Sequence, residues 1–83
     1  MTKNDPFEYK HYVIYPLALY LPITEKWQPI VLITHDTQKG LTLPRIQSFP
    51  QLPDVFEQET AALNYALRYG LTLIDGKQDG LTI

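Results

Sequence analysis

The two residues best suited to chemistry are His35 and Asp36, which are adjacent in the sequence. Such a pair is typical of metal-dependent hydrolases, but a metal site needs further ligands at a suitable spacing. The other histidine, His11, lies in an apolar segment with no acid at ligand spacing. We therefore interpret the His-Asp pair as part of a solvated turn, and predict neither a metal site nor a cofactor.

Nucleophilic and acid–base catalysis find no support in the remaining side chains. The one serine, Ser48, precedes Phe49-Pro50 and has no Gly-x-Ser-x-Gly elbow around it. Glu57 and Glu59 cannot face one direction on a helix, and they are better explained as partners of the positive end of a helix dipole. No segment resembles a phosphate-binding glycine loop. The sequence therefore predicts a protein that is not an enzyme and identifies no small-molecule ligand.

Length and composition predict one domain with a modest core. The chain has 83 residues, of which 45% are hydrophobic, and it has no cysteine. A domain of this size without disulfides or metals often gains stability from self-association. We expect a single domain over residues 1–83, with flexible tails at residues 1–8 and 77–83. With no signal-peptide core and no apolar run near the ~20 residues that span a bilayer, the expected location is the cytoplasm and no membrane contact is predicted.

The distribution of charge argues against nucleic acid as the main partner. Seven lysines and arginines are scattered singly among nine acidic residues, for a net charge of −2. Phosphate binders cluster their cations, because affinity comes from releasing many counterions at once. A nucleic-acid-linked regulator, such as an antitoxin-like or RNA-binding-like domain, is therefore the alternative to a protein-binding role.

Residue types predict three strands before any helix. Tyr9–Leu21 is rich in aromatic and β-branched residues, and Pro16 within it requires an edge position or a bulge. Trp27–Thr34 contains a continuous apolar run that favours a central strand, and Leu41–Phe49 predicts a third strand with Pro44 pushing it toward an edge. The polar segment His35–Gly40 is expected to be a hairpin loop. Together these segments predict an antiparallel three-stranded meander.

The C-terminal third carries the only sustained helical periodicity. Two rows repeat at four-residue spacing: Ala62, Ala66, Gly70 and Ile74, and Leu63, Leu67 and Leu71. They favour one helix to about Asp75, capped by Gly76, over a helix that ends at Gly70 and is followed by a strand at 71–74. Glycine inside the helix is explained if the helix backbone closely approaches the sheet. The helix start is predicted near Asp54 or Glu57. The expected fold is α+β: a three-stranded antiparallel β-meander packed on one face by a C-terminal α-helix.

One helix covers only one face of a sheet, while the first strand carries large apolar groups on both faces. The other face should expose part of Tyr12, Ile14 and Tyr20, or of their alternates, and an exposed apolar patch usually marks an interface. In the competing interpretation the tail or a bend at Pro16 covers that face. We predict a protein-binding or assembly module, with a homodimer as one form of that assembly and with candidate interface residues Tyr12, Ile14, Tyr20 and Trp27.

The order of these residues resembles a family of small uncharacterised bacterial proteins of about this length with a βββα layout. The resemblance spans residues 9 to 75 and is carried by Tyr9, Tyr12, Ile14, Trp27, Pro29, Ile30, Leu32, Ile33, Phe49, Phe56, Glu59, Ala62, Ala66, Gly70, Ile74 and Asp75. It implies one continuous helix and no particular activity. More distantly, the layout resembles the partner-binding half of HicB-type antitoxins and double-stranded-RNA-binding domains.

Overall fold

The computed structural model describes residues 6–35 and 46–82. These residues form four strands and one helix, in the order β1 (Phe7–Tyr9), β2 (Tyr12–Leu21), β3 (Lys26–His35), β4 (Ile46–Phe49) and α1 (Glu59–Ile74). Neighbouring strands are antiparallel, and their order across the sheet is β1-β2-β3-β4. The α+β class with one antiparallel sheet and one C-terminal helix is confirmed, but the sheet has four strands rather than the predicted three.

The additional strand arises because a turn divides the predicted first strand. Lys10 and His11 have φ angles of 51° and 70°, so both residues of this two-residue loop lie in the left-handed region. Such hairpin loops usually use Asn-Gly or Asp-Gly, which adopt positive φ at little cost. Lys-His carries no such signal, so the residue types do not predict this turn. Phe7–Tyr9, most of which falls in the predicted N-terminal tail, pairs with Tyr12–Ile14.

The second and third predicted strands are observed with different bounds. β3 extends the predicted second strand by one residue at each end, and it lies between β2 and β4 as expected of a central strand. β4 matches the last four residues of the predicted third strand. The remainder of that strand, including Pro44, and loop residues 36–40 lie outside the described residues.

The direction of the backbone groups explains how two prolines fit inside the long strands. Trp27 exchanges two backbone hydrogen bonds with Phe56, at 2.6 and 2.9 Å, so its N–H and C=O face away from β2. In an antiparallel pair, two directly opposite residues either bond each other through both backbone groups or both direct these groups away from each other. Tyr20, the partner of Trp27, therefore directs its backbone N–H and C=O away from β3, and Pro16, four residues earlier, has the same direction. Pro29 shares the outward direction of Trp27. Neither proline therefore removes a β2–β3 hydrogen bond.

The flanking strands also stop before they reach either proline, so no described strand lacks a hydrogen bond from a proline nitrogen. Among the described strands, β1 extends along β2 only as far as Ile14, and β4 extends along β3 only as far as Val31. Next to Pro29, the side-chain amide of Gln28 donates to the carbonyl oxygens of Pro29 and Leu52, at 3.0 and 3.1 Å. Pro16 thus lies on the part of β2 that has no described neighbouring strand on its outer side, which is the edge position that the sequence predicts.

Helix α1 packs on one face of the sheet through its row of small residues. Ala62, Ala66 and Gly70 are buried, and the sheet contributes Ile14, Val31 and Ile33, which are fully buried. A Cβ atom built on Gly70 would lie 2.9 Å from Cγ2 of Ile14 and 3.2 Å from Cγ2 of Val31. The helix backbone therefore approaches the sheet as closely as a missing side chain permits, as the sequence predicted.

Both helix ends are defined by backbone interactions. The helix runs unbroken through Gly70 to Ile74, so the alternative of a strand at 71–74 is wrong. Gly76, at φ 81°, donates to Leu73, and Lys77 donates to Thr72, which is the Schellman pattern with glycine in its usual place. The first turn begins at Glu59 with Gln58 as N-cap, later than predicted. The start is delayed because Phe56 is held extended against Trp27.

The segment after the helix returns to the sheet. The Gln47 side chain donates to Gly80 O at 2.6 Å and accepts from Thr82 N at 2.8 Å. Leu81 packs, partly buried, against the core. Residues 80–82, which lie in the predicted tail 77–83, therefore contact β4 and the core.

We predict that Gly70→Ala destabilises the protein, although alanine is the better helix former. The helix preference favours alanine by about 1 kcal/mol, whereas overpacking costs about 1 to 3 kcal/mol. The new Cβ meets Cγ2 of Ile14, and this methyl group can move only if the whole buried side chain changes its χ1 angle. Overpacking should therefore outweigh the helix preference. Urea unfolding measures the change.

Asn64→Ala, at an exposed position of the same helix, is the matched control and should not lower stability. A Gly70→Ala protein more stable than wild type would contradict the close helix–sheet approach.

Candidate functional site

Side chains of β2 alternate between the two faces of the sheet. Ile14 contacts the position of Gly70, so the even-numbered residues of β2 point toward the helix and the odd-numbered residues point away. The register of β2 with β3 extends this assignment to β3, and the register of β3 with β4 extends it to β4. We call the face opposite the helix the open face. It carries Glu8, Val13, Tyr15, Leu17, Leu19, Leu21, Lys26, Gln28, Ile30, Leu32, Thr34, Ile46 and Ser48.

All four predicted interface residues lie on the helix side of the sheet. Ile14 is 0% exposed in the core, so it cannot line an accessible surface in this structure. Tyr12 packs against the core and stacks on His35, with ring centroids 4.8 Å apart. Tyr20 is 45% exposed, and its ring lies 5.1 Å from that of Trp27, which is half-buried. The alternates of these residues, not the residues themselves, form the open face.

The open face is apolar and poor in charge. Among its described residues, Tyr15, Leu19 and Ile46 are the most exposed large apolar side chains. Only Glu8 and Lys26 are charged there, and they lie beside opposite ends of β2. The single helix predicts that one face stays open, but the residue types do not identify that face because β2 is apolar on both sides.

A polar cluster fastens the β1–β2 turn to the end of the helix. Asp75, the C-cap of α1, accepts hydrogen bonds from the Tyr9 hydroxyl at 2.9 Å and from Lys10 Nζ at 2.7 Å. The Lys10 hydrogen bond, followed by that of Tyr9, lowers the pKa of Asp75, and the Asp75 hydrogen bond and charge raise the pKa of Lys10. The cluster holds a turn whose two residues both have positive φ.

Aromatic rings form a second cluster along α1. Phe56 lies 5.1 Å from Tyr65, and Tyr65 lies 6.0 Å from Tyr69. Burial raises the pKa of the Tyr65 hydroxyl, and the negative charge of Asp54 raises it further. These rings pack the helix start against the chain segment that leaves the sheet.

The residues considered for catalysis do not converge. Ser48 lies exposed on β4, His35 stacks on Tyr12, and Glu57 pairs with Lys26 at 3.4 Å. Asp36 lies outside the described residues. Over residues 6–35 and 46–82, no three His, Asp or Glu side chains come close enough to hold a metal ion. In the same ranges no helix has the length and apolar character needed to cross a bilayer.

Comparisons with known protein families, with curated protein sequences and with solved structures find no match for this chain. The resemblance to small bacterial βββα proteins therefore stays a prediction, and the site must be interpreted from its own geometry.

We predict that Asp75 makes stability depend on pH in the acidic range. Its pKa is lowered in the folded state, so its stabilising contribution is complete above the ordinary carboxyl pKa and is lost as pH falls through the lowered value. Asp75→Asn should therefore lower the denaturation midpoint at neutral pH, and the difference from wild type should shrink as the pH approaches about 2.

Asp79→Asn removes an exposed carboxylate from the same segment and is the control for net charge. An Asp75→Asn difference that does not change with pH would show that the Tyr9–Lys10–Asp75 cluster does not stabilise the fold through the carboxylate.

Proposed function

We propose that this protein is a non-enzymatic assembly module whose open face packs against the open face of a second copy. The observation that carries the proposal is the exposure of large apolar side chains on the open face, with Leu19 at 53% and Ile46 at 65%. Large apolar side chains exposed on one face of a small protein favour a protein interface there. Another protein with a flat apolar surface is the alternative occupant.

The charge distribution suits a second copy. Two identical faces can pack without burying like charges when their interior carries none. Among the described residues of the open face, the charged ones are Glu8 and Lys26, which lie beside the two ends of β2. Two sheets that pack face to face lie about 10 Å apart and interdigitate their inner side chains. Leu17, Ile30 and Leu32, which are half-buried in the single chain, would supply the centre of such a layer.

The area of one open face sets the strength of this contact. At about 3.3 Å per residue along a strand and about 4.8 Å between strands, the four strands have a footprint of roughly 430 Å². Specific interfaces bury about 800 Å² per partner, so a single face gives a weak contact. We therefore expect face-to-face association to depend on concentration.

The test is sedimentation equilibrium on Tyr15→Lys/Ile46→Lys, which places two charges at exposed positions of the open face. Charge in an apolar contact is strongly unfavourable, so this variant should have half the mass of the wild-type assembly and an unchanged far-ultraviolet dichroism spectrum.

Val55→Lys/Thr60→Lys is the matched control, because it adds the same charge at exposed residues outside the open face. A wild-type protein that is monomeric at high micromolar concentration, or a face variant that keeps the wild-type mass, would contradict the proposal.

A further inference from the structure

The outer edge of β2 is an open strand edge in the described part of the chain. β1 pairs with Tyr12–Ile14, and no described strand lies beside the seven residues from Tyr15 to Leu21 on that side. The outward direction of Tyr20 is fixed through the Trp27–Phe56 bridge, and Ala18 shares it. Ala18 and Tyr20 thus direct both N–H and C=O outward, while Pro16 directs only a C=O.

This edge lacks most of the devices that keep edges from pairing. Natural edge strands are usually protected by charged side chains, prolines, bulges or short length. Pro16 protects one end, but Leu17–Leu21 contains no charge, proline or glycine. Of the seven exposed large apolar side chains in the described ranges, five lie on β1, on β2 or in the turn after it: Phe7, Tyr15, Leu19, Tyr20 and Ile23. A strand edge this apolar favours pairing with another strand.

We propose that this edge pairs antiparallel with the same edge of a second copy, centred on Leu19. In that register Ala18 of each copy lies opposite Tyr20 of the other and exchanges two backbone hydrogen bonds with it, which makes four across the dyad. The small Ala18 side chain lies beside the large Tyr20 ring on the helix side, and the two Leu19 side chains meet on the open face. Pro16 lies outside this core of hydrogen bonds.

Edge pairing deepens the proposed function because it enlarges the open face. A two-fold axis normal to the sheet keeps both helices on one side and joins both open faces on the other. The joined face has a footprint of roughly 860 Å², which reaches the size of a standard interface where a single face does not. Two edge-paired dimers could then pack face to face as a tetramer with the helices outside. This use of the joined face rests on the proposed function, whereas the edge contact itself does not.

Cysteine cross-linking tests the edge contact directly, because the natural chain has no cysteine. In the proposed register the two Leu19 residues form a non-hydrogen-bonded pair with Cα atoms about 4.5 Å apart, within the range for a disulfide. Leu19→Cys should form an intermolecular disulfide rapidly under mild oxidation. Tyr15→Cys is the control on the same strand and face, and edge pairing would keep its two thiols about 26 Å apart.

Ala18→Pro tests the hydrogen bonds. It removes an outward N–H without removing a β2–β3 bond, as Pro16 does in the natural chain, so it should preserve the fold, lower the assembly mass and abolish cross-linking through Leu19→Cys. Leu19→Pro removes an inward N–H that bonds within the β2–β3 ladder and should unfold the protein.

Equal cross-linking rates for Leu19→Cys and Tyr15→Cys, or a folded Ala18→Pro protein with the wild-type mass, would overturn the edge proposal. If Ala18→Pro does not fold, the comparison of the two cysteine variants alone decides. Tyr15→Lys/Ile46→Lys separates the two proposals. If this variant loses face packing while Leu19→Cys still cross-links, the result agrees with both proposals. If only the cross-linking is lost, the result contradicts the edge contact and not the face packing.

Discussion

The ten-residue pairing of β2 with β3 determines the core, the open face and the direction of the backbone groups in both strands. Its register, from Tyr12 opposite His35 to Leu21 opposite Lys26, assigns every side chain of the two strands to a face. The same register directs every backbone group either inward to the ladder or outward to an edge. Shifting it by one residue would expose Ile14, bury Tyr15 under the helix and place the missing N–H of Pro16 inside the ladder. The core, the open face and the open edge are therefore consequences of one alignment.

The helix completes the fold by closing one face and fastening the hairpin. Ala62, Ala66 and Gly70 bring its backbone close to Ile14 and Val31, so the layers pack tightly with little side-chain volume between them. Its C-terminal end then provides Asp75, which holds Tyr9 and Lys10. A single helix cannot also cover the opposite face, and the shortest extent of the molecule, 17 Å, is that of one helix layer on one sheet.

Local patterns predicted the elements whose signals are local. The four-residue rows were enough to carry the helix through Gly70, and the apolar run of β3 was enough to place it centrally. Three features could not be predicted from local patterns because their causes lie in distant residues. The turn at Lys10 and His11 has no glycine or asparagine and is held by Asp75, 65 residues away from Lys10. The helix starts late because Phe56 pairs with Trp27. The open face could not be assigned because β2 is apolar on both sides, so only the packing of α1 distinguishes Ile14 from Tyr15.

In our proposal, β2 has an inward set and an outward set of backbone groups, and the outward set binds a second copy. Amide hydrogen exchange of single residues, followed by nuclear magnetic resonance at increasing protein concentration, tests it most directly. We expect the Leu17 and Leu19 amides to be protected at every concentration, whereas the Ala18 and Tyr20 amides should exchange rapidly in dilute solution and become protected as the concentration rises. Ala18 and Tyr20 amides that exchange rapidly at all concentrations, or that are as protected as their neighbours in dilute solution, would contradict it.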